Sequence, residues 1–107
     1  AMKFGWTWRV RMKPSSDAPT MVGPVLQAGS LTNEIIAALR SSNPELNVLD
    51  RGGYLRVSSP RRCVLSREIM ESLTGREFRL PGDLETVMSS FKGLFSVNED
   101  EAVWEAP

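Results

Sequence analysis

The chain contains no histidine in 107 residues, a single cysteine and a single tyrosine. Without imidazole, the usual general base near neutral pH, the commonest metal ligand and every Ser-His or Cys-His nucleophile pair are excluded together. One cysteine excludes an internal disulfide. Its setting beside Val64 and Leu65, in a strand-like run, predicts that Cys63 is a small buried hydrophobe rather than a nucleophile. No isolated pair of carboxylates closes an apolar strand, where burial would raise one of the two pKa values. No apolar run approaches the ~20 residues that a membrane span needs, and no signal-peptide pattern opens the chain. The expectation is a cytoplasmic protein with no membrane partner, no catalytic residue, no metal site and no cofactor.

What is present suits one soluble domain. A chain of this length buries roughly two-thirds of the surface its unfolded form exposes, so a core forms without staples. The hydrophobic share of 41% and charged share of 24% are ordinary and exclude a disordered chain.

The first segment is different. Phe4, Trp6, Trp8, Val10 and Met12 alternate with Gly5, Thr7, Arg9, Arg11 and Lys13, the period of a strand. Pro14 to Thr20 then has the composition of a linker. The chain is therefore expected to divide into an arm with its linker, residues 1–20, and a folded domain, residues 21–107. Lys3, Arg9, Arg11 and Lys13 make the arm basic without any acid, leaving nine basic against thirteen acidic residues elsewhere. Three roles fit the arm: an edge strand on its own domain or on a second copy, a tail that orders on a partner, or a nucleic-acid contact. Alternation favours the strand and with it self-association. The acidic remainder, which repels phosphate, argues against nucleic acid.

From residue 21 the elements can be read in order. Val22 to Gln27 is a short strand in which Pro24 fits at an edge or near an end. Ser30 can cap a helix whose apolar stripe is Leu31, Ile35 and Leu39, and Asn43-Pro44 stops it. Leu46, Val48, Leu55 and Val57 alternate with polar residues around Asp50-Arg51-Gly52-Gly53, which predicts a hairpin with one wet face, its turn served by the two glycines. Arg62 to Leu65 reads as a strand. Ser66 caps a second helix with Ile69, Met70 and Leu73 on its core side, and Gly75 ends it. Residues 84–88 suggest one or two helical turns, and 88–93 are open between helix and strand. Leu94 to Val97 and Ala102 to Glu105 form a second hairpin with an acidic tip. The sum is an α+β domain of two consecutive βαββ units, expected to form one mixed sheet carrying two main helices.

Along this order Val22-Gly23-Pro24-Val25 with Ala28-Gly29, then Asn43-Pro44, Val48, Asp50-Arg51 and Gly53-Tyr54, then Leu73-Thr74-Gly75-Arg76-Glu77-Phe78, and finally Ser89-Ser90 with Gly93 form an ordered series. It resembles the effector proteins, also called coupling or regulatory proteins, of soluble multicomponent diiron monooxygenases. The toluene members are most similar and the methane members less so. Two departures are Thr74, which separates Leu73 from Gly75, and Phe91, where the methane system has a small hydroxyl residue.

The resemblance implies a non-catalytic, cofactor-free subunit. It would bind the diiron hydroxylase and tune its active site, oxygen activation, coupling and regioselectivity on an aromatic hydrocarbon such as toluene. It implies that Met88, Ser89, Ser90, Phe91, Lys92 and Gly93 face the hydroxylase. Small hydroxyls permit close approach and Phe91 suits an aromatic anchor, although Met88 and Phe91 also fit a simple extension of the core stripe of Leu84 and Val87. Asn43 and Tyr54 are second contact candidates, while Asp50, Arg51, Gly52 and Gly53 serve the turn. The alternative is a stand-alone small-molecule-sensing α+β module with a pocket between helices and sheet.

Overall fold

The computed structural model describes residues 19–107; the arm and all but the last two residues of its linker lie outside them. The elements are β1 (Met21–Gln27), α1 (Ser30–Ser42), β2 (Asn47–Asp50), β3 (Tyr54–Pro60), β4 (Arg62–Ser66), α2 (Arg67–Thr74), α3 (Gly82–Glu85), β5 (Met88–Lys92), β6 (Leu94–Val97) and β7 (Glu101–Glu105). The class is α+β with two main helices, and both βαββ units are present.

Each unit builds its own sheet, which corrects the expected single mixed sheet. One sheet has the order β2-β3-β1-β5 and the other β4-β7-β6, and every pairing is antiparallel. The reason lies in the hairpins. The strands on either side of α1, β1 and β2, run in the same direction, but β3 folds back between them and takes the ladder of both. In the second unit β7 separates β4 from β6 in the same way. β5 is an extra strand that leaves its own unit and pairs with β1.

The position of β1 also differs from expectation: it is central, between β3 and β5. Pro24 is tolerated because the ladder to β3 is interrupted there, running from Val22 opposite Ser59 and resuming at Val25 opposite Arg56. A Cβ on Gly23 would lie 2.2 Å from the Val57 carbonyl oxygen, so this interruption holds the two backbones too close for any side chain.

α1 packs on β4 and α2. Ile35 and Leu39 of the expected stripe are fully buried and Leu31 packs at its margin. The N-cap is Gly29 instead of Ser30, which is the first helical residue. In α2, Ser66 Oγ accepts from the Ile69 N–H at 3.3 Å and Gly75 closes the helix in the left-handed region, as expected. Met70 is buried, but Leu73 is 54% exposed. The core joins Val22, Leu26 and Val57 of the first sheet to Cys63, Leu65 and Trp104 of the second. No helix among the described residues is long and apolar enough to cross a membrane.

Candidate functional site

The stretch 88–93 is a strand and the corner that follows it. Among the described residues β5 is an outer strand of the first sheet and pairs only with β1, with Val25 opposite Ser90, Pro24 opposite Phe91 and Gly23 opposite Lys92. A shift in register between Val25 and Leu26 sets Ser89 apart, and its hydroxyl reaches the Val25 carbonyl at 3.4 Å. Strand alternation then sorts the side chains. Ser90 and Lys92 share the open face with Val25, Arg56, Ser58, Asn47 and Leu49, which follows from the registers of β1, β2 and β3. Met88 and Phe91 point to the opposite face.

Phe91 has two roles at once. Its ring lies 5.2 Å from that of Phe95, which stacks on buried Trp104 at 5.2 Å, yet 45% of Phe91 is exposed. It is the outer end of an aromatic row that begins in the core. Leu94, 62% exposed, follows it across the corner. Gly93 makes the corner with φ of 105°, and a Cβ there would come within 2.8 Å of both the Glu105 carbonyl oxygen and Val22 Cγ1. The passage from one sheet to the other thus needs glycine for conformation and for space.

The second group of candidates is divided. Tyr54 begins β3 opposite Gln27 and is exposed. Asn43 is turned inward and only 5% exposed, so it is not presented to a partner. Its Nδ2 donates to the Leu39 and Val64 carbonyls, both at 2.8 Å, and its Oδ1 accepts from the Val64 N–H at 3.0 Å. This amide fastens the end of α1 to β4. In the turn, Asp50 Oδ1 accepts from the Gly52 N–H at 2.8 Å, Gly52 has φ of 88°, and the Arg51 N–H donates to the Tyr54 carbonyl at 2.9 Å. Gly53 does not use a positive φ.

Two features were not singled out from the sequence. The open face carries a groove of about 170 Å³ whose walls include Gly23, Asn47, Leu49, Arg56, Ser58 and Lys92. Its signal was the polar half of each alternating strand, but the strand order had to be known before those residues could be assembled. The other is the exposure of Leu73, which its spacing predicts to face the core. Elsewhere the interior leaves little to titrate: burial pushes the Cys63 thiol up to about 12. Among the described residues no group of three or more His, Cys, Asp or Glu is arranged to hold a metal.

The chain is 42% identical over 86 residues to the alkene monooxygenase system effector subunit of Xanthobacter autotrophicus (strain ATCC BAA-1158 / Py2), covering 78% of this chain and 84% of the relative. Among solved structures, a chain in the phenol hydroxylase–regulatory protein complex superposes with a TM-score of 0.76 at 22% identity, covering 82% of this chain and all of that one. The soluble methane monooxygenase regulatory protein B gives 0.62 at 21% identity, over 92% of this chain and 70% of that one. At such identities these two likenesses speak for the fold. The MmoB/DmpM family model matches residues 20–105, and the chain belongs to that family, the effector or regulatory subunits of monooxygenase systems and not their catalytic components.

Proposed function

We propose that this effector binds the diiron hydroxylase of a multicomponent hydrocarbon monooxygenase through the open face of the first sheet and its β5 border. There it tunes the active site, oxygen activation, coupling and regioselectivity. What supports the reading is that β5 combines an outer edge unpaired among the described residues, exposed Ser89, Ser90 and Lys92, and a half-exposed Phe91 anchored on Phe95. An edge strand with small hydroxyls lets a partner backbone approach closely, and an aromatic held from beneath loses little entropy on docking. Tyr54 lies on the same open face and belongs to the contact, whereas Asn43 fastens α1 to β4 of the second sheet.

The hydrocarbon is chosen by the hydroxylase pocket. An aromatic one such as toluene follows from the sequence resemblance, and an alkene one accords with the Xanthobacter relative. The partner is expected in the cytoplasm. The arm, residues 1–20, is proposed as an accessory to the domain at 21–107, a strand added to a second copy or a tail ordered on the hydroxylase. Removing residues 1–13 would then change the mass in solution or the affinity for hydroxylase.

The small-molecule alternative is less well supported. The space between helices and sheets is filled by Ile35, Leu39, Leu65 and Trp104, all fully buried. The test is reconstitution with hydroxylase and reductase. Adding the protein should raise product formed per NADH consumed, and an unchanged ratio would refute the reading.

A further inference from the structure

The open face of the first sheet has an unbalanced charge. Arg56 on β3 and Lys92 on β5 both border the groove, on opposite sides of β1, and no carboxylate among the described residues lines it. Two strand spacings across the sheet and two residues along it separate their backbones, about 12 Å. Among the described residues neither takes part in an ion pair, as is true also of Arg40, Arg51 and Arg61, while Arg67 has two and Arg62, Arg76 and Arg79 have one each. Both are exposed. This positive face belongs to a chain whose residues beyond the arm carry a net negative charge.

The groove floor explains why a hollow lies between the two cations. Gly23 sits where the β1–β3 ladder is interrupted, and the Val57 carbonyl leaves no room for a side chain there. Asn47 and Ser58 offer side-chain hydrogen-bonding groups on one wall, and Leu49, 45% exposed, supplies an apolar lip. A space of this size takes one protein side chain. Two cations on opposite sides of a hollow of mixed apolar and polar lining favour an anion, because a carboxylate seated there gains charge-assisted hydrogen bonds while a cation meets repulsion from both sides.

Resting on the proposed hydroxylase partnership, we infer that this groove receives a Glu or Asp side chain from an acidic face of the hydroxylase, with Arg56 and Lys92 as its two clamps. The pair steers the encounter and fixes the position of β5 on the partner. Cations at the border of an interface act chiefly on the rate of association and its dependence on salt.

The experiment measures association of the full chain with its hydroxylase between low and high ionic strength, for wild type, R56Q/K92Q and R76Q as a control away from the groove. Thermal melting confirms that each variant is folded, which the exposure of all three side chains favours. R56Q/K92Q should lower the association rate about tenfold at low salt and flatten its salt dependence, with R76Q close to wild type. Equal salt slopes and rates for wild type and the folded double variant would overturn the inference while leaving the partnership standing. Wild type that neither binds nor stimulates hydroxylase would overturn the partnership itself. A loss in R76Q equal to that in R56Q/K92Q would also overturn the inference, since net charge alone would then suffice.

Discussion

The amide of Asn43 uses both of its ends inside the protein, donating to Leu39 and Val64 and accepting from Val64. Truncation would leave the half-buried Val64 peptide without these partners on both its N–H and its carbonyl sides. Asn43→Ala should therefore cost about 2–3 kcal/mol in a urea titration, well beyond the loss of a turn preference. Cys63 gives the second residue-scale prediction. Burial holds its thiol neutral to about pH 12, against 9.0 for the free group. The folded pKa is raised, so the stabilisation is complete below pH 9 and is lost between pH 9 and 12, where the unfolded chain releases a proton that the folded chain keeps. The stability difference between wild type and Cys63→Ala should shrink by about 1.4 kcal/mol per pH unit across that window. Denaturant titrations at pH 8 and at pH 10 or above check it, and parallel pH profiles for the two proteins would count against a protonated thiol in the core.

At the scale of elements, periodicity made most of the chain legible. The stripe of α1, the Ser66 cap, the Gly75 stop and both hairpins lie where the sequence places them, because each is written in residues three or four apart, or two apart. Leu73 escaped that logic. Spacing puts it on the same stripe as Ile69 and Met70, but α2 ends one residue later and the described residues leave Leu73 54% exposed. The interval 88–93 escaped for another reason. An edge strand with Ser89, Ser90 and Lys92 carries little apolar signal, and its partner β1 is more than sixty residues away in the chain. Ser90 tests what this element does. Exposed on the open face, it can accept a large charged group without disturbing the core, so Ser90→Glu should melt within about 2 °C of wild type. Beside Lys92 it would neutralise the positive face and obstruct docking, so affinity for hydroxylase should fall at least about tenfold. Titration of coupled turnover measures this, and full coupling at wild-type concentrations would remove β5 from the interface.

At the scale of the molecule, the joining of the two sheets was beyond the reach of the sequence. Both βαββ units could be counted from their element order, but whether two such units make one sheet or two depends on which strand each hairpin inserts, and no local pattern records that. The sheets are held together at two corners and through one core. At the first corner Arg61 adopts a φ of 66°, its N–H donating to the Thr20 carbonyl and its own carbonyl accepting from the Ala106 N–H, both at 2.8 Å. At the second, Gly93 brings β5 and β6 against Val22 and Glu105. Between the corners, Leu26 and Val57 share a single cluster with Cys63, Leu65 and Trp104. Splitting the sheets would expose that cluster on both sides, so neither unit should persist without the other. Unfolding should accordingly be two-state. With Trp6 and Trp8 replaced by Phe, Trp104 fluorescence reports the second sheet alone while far-ultraviolet circular dichroism reports both. The two urea midpoints should coincide, whereas a fluorescence midpoint distinct from that of dichroism would mean that the paired units are separately stable and that the shared core does not couple them.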